Sequence, residues 1–216
     1  VSPSFSLDAQ LLLAYVLGCE RVYVLAHPEH VLTDEQAEHY DALIDRRAAG
    51  EPVAYLLGKR AFYDREFIVR PGVLIPRPET EHLLELALDF ARERANPVCV
   101  DVGTGSGALA VTLAANRPDA TVYATDISSD ALAVARENAH QQQAEVYFLQ
   151  GDLLQPLIDK SVRVDLVMAN LPYISTDDLQ TLDVRKYEPH LALDGGQDGL
   201  DLIRRLLQQL PDACAD

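Results

Sequence analysis

Apolar residues recur at helical spacing through the first part of the chain. The first set fits one face of a helix and comprises Leu7, Leu11, Leu12, Tyr15 and Val16. Thr33 and Gln36 have the spacing of a capping box, which predicts that a second helix begins there. Pro52 suits the start of a third, short helix. Three short amphipathic helices predict a small helical domain over residues 1–58.

The pattern changes in the next segment, where aromatic and β-branched residues flank Asp64-Arg65, a suitable turn. We therefore expect a β-hairpin that links two domains over residues 59–76. Pro78 is placed to begin a longer amphipathic helix, because a first helical residue needs no N–H donor.

From residue 77 to residue 216, patterns of buried strands alternate with helical patterns. The predicted strands cover 98–102, 121–125, 145–149 and 164–169, and the predicted helices cover 107–116, 128–140 and 200–210. Such alternation predicts an α/β fold with a doubly wound, Rossmann-like parallel sheet, here preceded by the small helical domain and the hairpin linker. Since the last helix leads to no further strand, we expect a chain truncated before its C-terminal strands.

The charge balance disfavours a nucleic-acid partner. The chain has 18 Lys and Arg against 34 Asp and Glu, a net charge of −16, whereas nucleic-acid-binding faces are basic. No apolar run reaches the roughly 18 residues of a membrane span, so no membrane partner is expected. The cysteines Cys19, Cys99 and Cys214 are far apart and show no metal-ligand spacing. They indicate a reducing, cytoplasmic setting and no metal.

The segment from Asp101 to Gly107 follows a predicted strand and reads Asp-Val-Gly-Thr-Gly-Ser-Gly. Glycines allow a tight turn and let backbone N–H groups approach a ligand. The spacing differs from the G-x-G-x-x-G of dinucleotide enzymes, which disfavours a dehydrogenase. The next strand ends in Asp126, where an acidic residue commonly binds ribose hydroxyls. These features predict a ribose-bearing cofactor, and Asp152 is placed either to meet an adenine edge or to cap a turn.

The fourth predicted strand ends in Asn170-Leu171-Pro172-Tyr173. Asn offers one acceptor oxygen and two N–H donors. Pro172 keeps Leu171 extended, which fixes the direction of the Leu171 carbonyl, and Tyr173 offers a flat face. This tip predicts a grip on a planar amide or amino group. The alternative is an ordinary Asn turn at a strand end.

Together these motifs resemble those of the class I S-adenosylmethionine-dependent amino-methyltransferases. Within them the chain is similar to the HemK/PrmC group, which methylates the glutamine side-chain nitrogen (N5) of peptide chain release factors. Three further runs carry the likeness, 55–63, 73–81 and 187–200, and the second contains Ile-Pro-Arg-Pro-Glu-Thr-Glu, which generic methyltransferases lack. The resemblance covers nearly the whole chain. It implies S-adenosylmethionine as cofactor, a release factor as protein substrate, and a monomer.

The resemblance also implies a role for each matching position. The glycine turn would bend around the methionine part of the cofactor, Asp126 would hold the ribose, and Asp152 with Leu153 would border the adenine. The helical domain would recognise the release factor. The implied cofactor-binding residues are Asp101, Gly103, Thr104, Gly105, Ser106, Gly107, Asp126, Asp152, Leu153 and Asn170. The implied catalytic residues are Asn170, Leu171, Pro172 and Tyr173, and these bind substrate together with Ile75, Arg77 and Glu79.

Two departures from the family leave alternatives open. The family usually has Asn-Pro-Pro-Tyr, and Leu171 keeps the carbonyl acceptor but loses rigidity. Family members also normally continue past the last helix, so a non-catalytic binding fragment is one alternative. The other is an adenine-N6-type nucleic-acid methyltransferase, because Asn-x-Pro-Tyr also suits an exocyclic amine. The net charge and the 73–81 run disfavour this second alternative.

Overall fold

The structure is a computed structural model that describes residues 5–215. The chain divides into two compact units, Val1–Lys59 and Arg60–Asp216. The first unit is helical, and the second holds the four-stranded sheet on which the candidate site is built.

Four helices form the first unit within the described residues. They are α1 (Phe5–Leu17), α2 (Arg21–Ala26), α3 (Asp34–Ala48) and α4 (Val53–Leu57). Leu12, Leu43 and Leu56 are buried together at its centre. The predicted capping box is confirmed, since the Gln36 N–H donates to Thr33 Oγ1 at 3.2 Å and the Thr33 N–H donates to Gln36 Oε1 at 3.0 Å.

The prediction of three helices is wrong, because it misses α2. This helix has six residues, and none of them is buried. Its apolar residues Val22 and Leu25 are exposed. A helix without a buried face leaves no apolar period in the sequence, so the pattern gave no signal there.

A two-stranded sheet begins the second part of the chain, with strands β1 (Lys59–Phe62) and β2 (Arg65–Ile68). The turn lies at Tyr63 and Asp64, one residue earlier than predicted, because Tyr63 adopts the left-handed region at φ +56°. The buried rings of Phe62 and Phe67 meet edge to face, with centroids 6.0 Å apart. Both rings belong to the main core of the second unit.

The large sheet has four parallel strands, which confirms the doubly wound α/β fold. They are β3 (Val98–Val102), β4 (Thr121–Asp126), β5 (Tyr147–Gln150) and β6 (Leu166–Ala169), in the order β5-β4-β3-β6. The winding direction reverses at β3, which has β4 on one side and β6 on the other. Ligands of such folds bind at this reversal, outside the carboxyl ends of the strands.

Helices cover both faces of this sheet. They are α5 (Thr80–Arg92), α6 (Ala108–Asn116), α7 (Ser129–Gln141), α8 (Gln155–Ile158), α9 (Thr176–Leu179) and α10 (Asp201–Ala213), with 3₁₀ turns at Asp183–Lys186 and His190–Ala192. Cys99 packs on the side of α5 and α6, whereas Val100 and Val102 pack on the side of α8 and α10. Burial on both faces explains why β3 reads as a continuous apolar run.

Two helix boundaries differ from the predictions by two residues or more. Helix α5 begins at Thr80 and not at Pro78, because the Thr80 and Glu81 N–H groups close tighter turns onto the carbonyls of Arg77 and Pro78, each at 3.0 Å. Helix α10 continues to Ala213. Beyond it, Cys214 pairs in parallel with Val164, just before β6.

Candidate functional site

Asp101, the fourth residue of β3, anchors the glycine turn from inside the protein. Its Oδ2 accepts hydrogen bonds from the Thr104 hydroxyl at 2.6 Å and from the Ala110 N–H at 3.3 Å. Burial raises the pKa of this carboxyl to about 6, while the two hydrogen bonds act in the opposite direction. The side chain therefore ties the turn to the first residues of α6.

Each glycine of the turn serves a different spatial need. Gly103, Gly105 and Gly107 have φ values of +72°, +57° and +83°, in the left-handed region that favours glycine. A Cβ at Gly107 would lie 3.0 Å from Ala135 Cβ of α7, and one at Gly103 would lie 3.2 Å from Leu171 Cδ2. A Cβ at Gly105 would meet no atom within 4 Å. Gly107 and Gly103 thus allow close packing, whereas Gly105 faces open space.

Asn138 of α7 holds the same turn from a second side. Its fully buried Nδ2 group donates to the Ser106 carbonyl at 2.9 Å and to the Ile68 carbonyl at 3.0 Å. Its Oδ1 accepts from the Ile68 N–H at 2.7 Å. One amide therefore joins β2 of the hairpin to the glycine turn, a link between distant segments that the sequence pattern does not reveal.

Asp126 ends β4 beside the glycine turn. Its Oδ2 accepts from the Gly105 N–H and its Oδ1 from the Ser128 N–H, both at 2.9 Å. Burial raises the pKa of this carboxyl, and the backbone hydrogen bonds oppose the shift. Each carboxylate oxygen has more than one lone-pair site, so both can still accept from a ligand hydroxyl.

The glycine turn and Asp126 line a first cavity, of about 250 Å³. Of the predicted cofactor-binding residues, six line it: Gly103, Gly105, Asp126, Asp152, Leu153 and Asn170. The other four, Asp101, Thr104, Ser106 and Gly107, are buried within or beneath the turn and support its shape. Leu74, Ile127 and Leu202 add apolar wall.

Asp152 has a partner that the sequence did not indicate. It forms an ion pair with Arg205 of α10, and both side chains are about half exposed, at 40% and 49%. Arg205 also lines the cavity. The two segments are far apart in the chain and nothing in the sequence couples them, so only the packing of α10 beside this cavity reveals the pair.

The tip of β6 presents the second half of the site. The Asn170 Nδ2 group donates to the Thr80 hydroxyl at 3.1 Å. Within residues 5–215, no hydrogen bond reaches Asn170 Oδ1 or the Leu171 carbonyl. The Leu171 side chain is buried, whereas the Tyr173 side chain is 69% exposed. The tip thus offers two acceptors and an exposed ring.

These groups face a second cavity, of about 460 Å³. Predicted residues that line it include Arg77, Glu79, Asn170, Leu171 and Tyr173. The two cavities have four lining residues in common, which are Leu74, Asn170, Leu171 and Ala192. The Asn170-Leu171 peptide therefore stands where the cavities meet.

Glu188 holds the segment 74–77 in place, and Leu74 of this segment lines both cavities. The Glu188 carboxylate is almost completely buried and accepts from the Ile75 N–H at 3.1 Å and from Arg77 Nη2 at 2.6 Å. The Ile75 side chain is buried and lines neither cavity, and its neighbour Leu74 lines both. Arg77 thus meets a carboxylate of the protein at the edge of the second cavity.

The described residues lack two further features. No helix within residues 5–215 is long and apolar enough to cross a membrane. In the same range, no group of three or more His, Cys, Asp or Glu side chains is placed to hold a metal ion. Cys19, Cys99 and Cys214 are free thiols.

Comparison with known families gives two matches along the chain. Residues 2–58 match the PrmC N-terminal domain, and residues 99–186 match a methyltransferase domain. The methyltransferase from Pyrococcus furiosus has a similar fold, with a TM-score of 0.50 and 18% identity over 81% of this chain and 73% of that one.

Curated relatives match over nearly the whole chain. The release factor glutamine methyltransferase of Koribacter versatilis is 43% identical over 211 residues, which are 97% of this chain and 75% of the relative. That of Neisseria gonorrhoeae is 46% identical over 212 residues, 97% of this chain and 77% of the relative. That of Moorella thermoacetica is 47% identical over 205 residues, 93% of this chain and 71% of the relative.

Proposed function

The chain belongs to the release factor glutamine methyltransferase family, and we propose on this premise that it methylates the side-chain amide nitrogen (N5) of a glutamine in a peptide chain release factor. The observation that supports this most directly is the shared position of Asn170 and Leu171, which line both cavities. A methyl donor in one cavity and an amide in the other would meet at these two residues.

The first cavity suits S-adenosylmethionine. Gly105 leaves open space for the ligand, and Asp126 retains acceptor capacity for a ribose. Ile127, Leu153 and Leu202 offer an apolar wall for a flat base. When bound, S-adenosylmethionine supplies a methyl group that its sulfonium sulfur makes electrophilic.

The second cavity suits the planar amide of a glutamine. Asn170 Oδ1 and the Leu171 carbonyl accept from its two N–H groups, which fixes the nitrogen in place. The same acceptors stabilise the positive charge that develops on this nitrogen as the nitrogen–methyl bond forms and the sulfur–methyl bond breaks. S-adenosylhomocysteine would leave, and the nitrogen would release one of its two protons to solvent. Tyr173 packs its exposed ring on the amide or on the neighbouring peptide.

Arg77 and Glu79 serve the substrate in different ways. Arg77 is neutralised by Glu188, so it shapes the cavity wall and does not attract an anion. Glu79 is exposed at the cavity edge and is placed to contact the polypeptide around the glutamine. Cavity shape and a single rim charge then select the substrate.

The helical unit, by its match to the PrmC N-terminal domain, is the release-factor-recognition domain of this proposal. The free cysteines fit a reducing cytoplasm, where a monomer would act on its protein substrate. The net charge of −16 disfavours direct contact with nucleic acid.

The cofactor part of the proposal is tested by calorimetric titration of S-adenosylmethionine into the chain. Asp126→Ala should weaken binding by about 10- to 100-fold, because it removes charge-assisted hydrogen bonds to the ribose. Asp130→Ala, at an exposed position on α7, removes the same charge and should leave the affinity within about twofold. Equal affinities of the two variants would contradict the placement of the ribose.

The substrate part is tested by incubating the protein with S-adenosylmethionine and a release factor, followed by mass spectrometry of its peptides. One added methyl group on a glutamine side chain is expected. Methylation of an adenine-containing oligonucleotide instead would support the nucleic-acid alternative. Cofactor binding without any transfer would support the non-catalytic one.

A further inference from the structure

Thr80 contacts the amide that would grip the substrate, although the sequence gives it no role beyond its place in the 73–81 run. We propose that Thr80 is a positioning residue for methyl transfer, whose hydroxyl accepts from Asn170 Nδ2 and so presents Asn170 Oδ1 to the glutamine amide. This inference rests on the proposed function, because it assumes that Asn170 binds the methyl-accepting nitrogen.

The contact joins two segments that are 90 residues apart in the chain. Asn170 Nδ2 lies 3.1 Å from Thr80 Oγ1, and both residues line the second cavity. In a planar amide the oxygen points away from the nitrogen. With Nδ2 engaged by Thr80, Oδ1 is the end of the amide left for a ligand.

The orientation of Asn170 decides whether it attracts or repels the substrate. A rotation of 180° about the last side-chain torsion exchanges the oxygen with the NH₂ group. In the rotated state, two N–H donors would face the N–H donors of the glutamine amide. Because a threonine hydroxyl can accept or donate, Thr80 holds the position and plane of the Asn170 amide, and the N–H donors of the glutamine favour the orientation in which Nδ2 pairs with Thr80 and Oδ1 faces the substrate.

Thr80 can serve as a fixed reference because its own segment is tied down on two sides. The Thr80 N–H donates to the Arg77 carbonyl at 3.0 Å, and Arg77 is held by the buried Glu188. On the other side, Glu81 Oε1 accepts from the Tyr63 N–H at 3.0 Å. Thr80 is also the first residue of α5, whose Leu84 and Ala87 are fully buried. These contacts fix the backbone of Thr80 and so the position from which its hydroxyl reaches Asn170.

The inference also explains part of the 73–81 run. Ile75 and Arg77 bind Glu188, Thr80 binds Asn170, and Glu81 binds the hairpin turn. These members act on the protein and not on the substrate directly. The 73–81 run thus stabilises the positions of the residues around Asn170.

The test compares Thr80→Val, which keeps the shape and removes the hydroxyl, with Thr80→Ser, which keeps the hydroxyl. Steady-state methylation of a release factor is measured with the intact chain, together with the S-adenosylmethionine Kd. We expect Thr80→Val to lower kcat by about tenfold, the effect of one lost hydrogen bond of about 1.4 kcal/mol. The Kd for S-adenosylmethionine should stay within about twofold, because Thr80 does not line the first cavity. Thr80→Ser should recover most of the activity.

A double-mutant cycle with Asn170→Ala separates positioning from a general structural role. If Thr80 acts through Asn170, Thr80→Val should have no further effect in the Asn170→Ala background. A tenfold loss in both backgrounds would overturn the inference, as would full activity of a folded Thr80→Val variant. If Thr80→Val does not fold, Thr80→Ala replaces it in the same cycle.

The two proposals can fail separately. Wild-type activity of Asn170→Ala would refute the grip of Asn170 on the substrate and with it the role of Thr80, whereas only a failure of the unaltered chain to methylate a release factor would refute the proposed function. Loss of activity in Asn170→Ala with unchanged activity in Thr80→Val would refute only the role of Thr80.

Discussion

The two strand tips of the candidate site are built on opposite principles. The tip after β3 is satisfied internally, since Asp101 bonds the Thr104 hydroxyl while Asn138 and Asp126 bond the backbone at Ser106 and Gly105. The tip after β6 leaves Asn170 Oδ1 and the Leu171 carbonyl without partners in the described part of the chain, and Asn170 relies on Thr80 from another segment. The first tip is thus held rigid by its own hydrogen bonds, whereas the second keeps two acceptors free to bind a ligand. This difference suits a cofactor that always has the same shape and a protein side chain that must enter and leave.

The largest effect is expected from breaking the second tip alone. Asn170→Ala should lower kcat by about 10²- to 10³-fold, the typical loss when one group that stabilises the transition state is removed. Its effect on S-adenosylmethionine affinity should stay below about tenfold. Methylation kinetics and calorimetry measure the two quantities. The control is Gln180→Ala, which removes an amide at an exposed position and should change neither kcat nor affinity. If Asn170→Ala lost activity and cofactor affinity to a comparable degree, the two tips would not have the separate roles proposed for them.

The second prediction concerns the buried carboxyl of the first tip. The pKa of Asp101 is about 6 in the folded protein against an ordinary value of 3.8. The folded state therefore holds this proton more tightly, so its stabilising contribution is complete below about pH 4 and is lost as the pH rises through about 6. Relative to Asp101→Asn, the free energy of unfolding of the wild type should fall by about 3 kcal/mol across this window. Urea unfolding of both proteins at several pH values measures the difference, and a pH-independent difference would refute the buried, protonated carboxyl.

The third prediction tests the packing of the glycine turn. Gly107→Ala introduces both an unfavourable φ and a Cβ that lies 3.0 Å from Ala135 Cβ, so it should lower the free energy of unfolding by about 2 kcal/mol. Gly105→Ala is a matched control in the same turn at φ +57°, where a Cβ would meet no atom within 4 Å. It should lower stability by only about 1 kcal/mol. Equal losses in the two variants, measured by urea unfolding, would mean that close packing against α7 contributes nothing.

The smallest effect is expected at the rim of the first cavity. Arg205→Ala breaks a half-exposed ion pair with Asp152, so the free energy of unfolding should change by less than about 1 kcal/mol. Arg204→Ala breaks a similarly exposed pair with Asp198 and should have the same effect on stability. Of the two, only Arg205 lines the cavity, so only Arg205→Ala should alter S-adenosylmethionine affinity, by a few fold. A large loss of stability in Arg205→Ala would show that the pair belongs to the core and not to the rim.

The strands and the residues placed at their ends could be predicted from the sequence because both depend on local signals. The apolar runs that mark β3 and β6, the glycines after β3 and the acid after β4 each occupy a few neighbouring positions. The start of α5 was displaced by two residues, because the hydrogen bonds onto Arg77 and Pro78 are tighter than helical ones. Local patterns do not distinguish these two kinds of turn.

Contacts between distant segments could not be predicted. The pairs Asp152 with Arg205, Asn170 with Thr80, and Glu188 with Arg77 each join residues more than fifty positions apart. Each depends on how segments distant in the chain pack together, and that packing has no period in the sequence. The resemblance placed Arg77 and Ile75 in the substrate wall, whereas their closest ties in the structure are to Glu188.

The approach of Leu171 to Gly103 has a consequence for how related chains can diverge. The branch of this leucine ends 3.2 Å from where a side chain at position 103 would begin. The φ of +72° already favours glycine at 103, and the leucine branch adds a second constraint, which a shift of a few tenths of an ångström would relieve. A related chain can therefore carry leucine or proline at 171 and keep glycine at 103, whereas a side chain at 103 would have to overcome both the backbone strain and, beside leucine, the close contact.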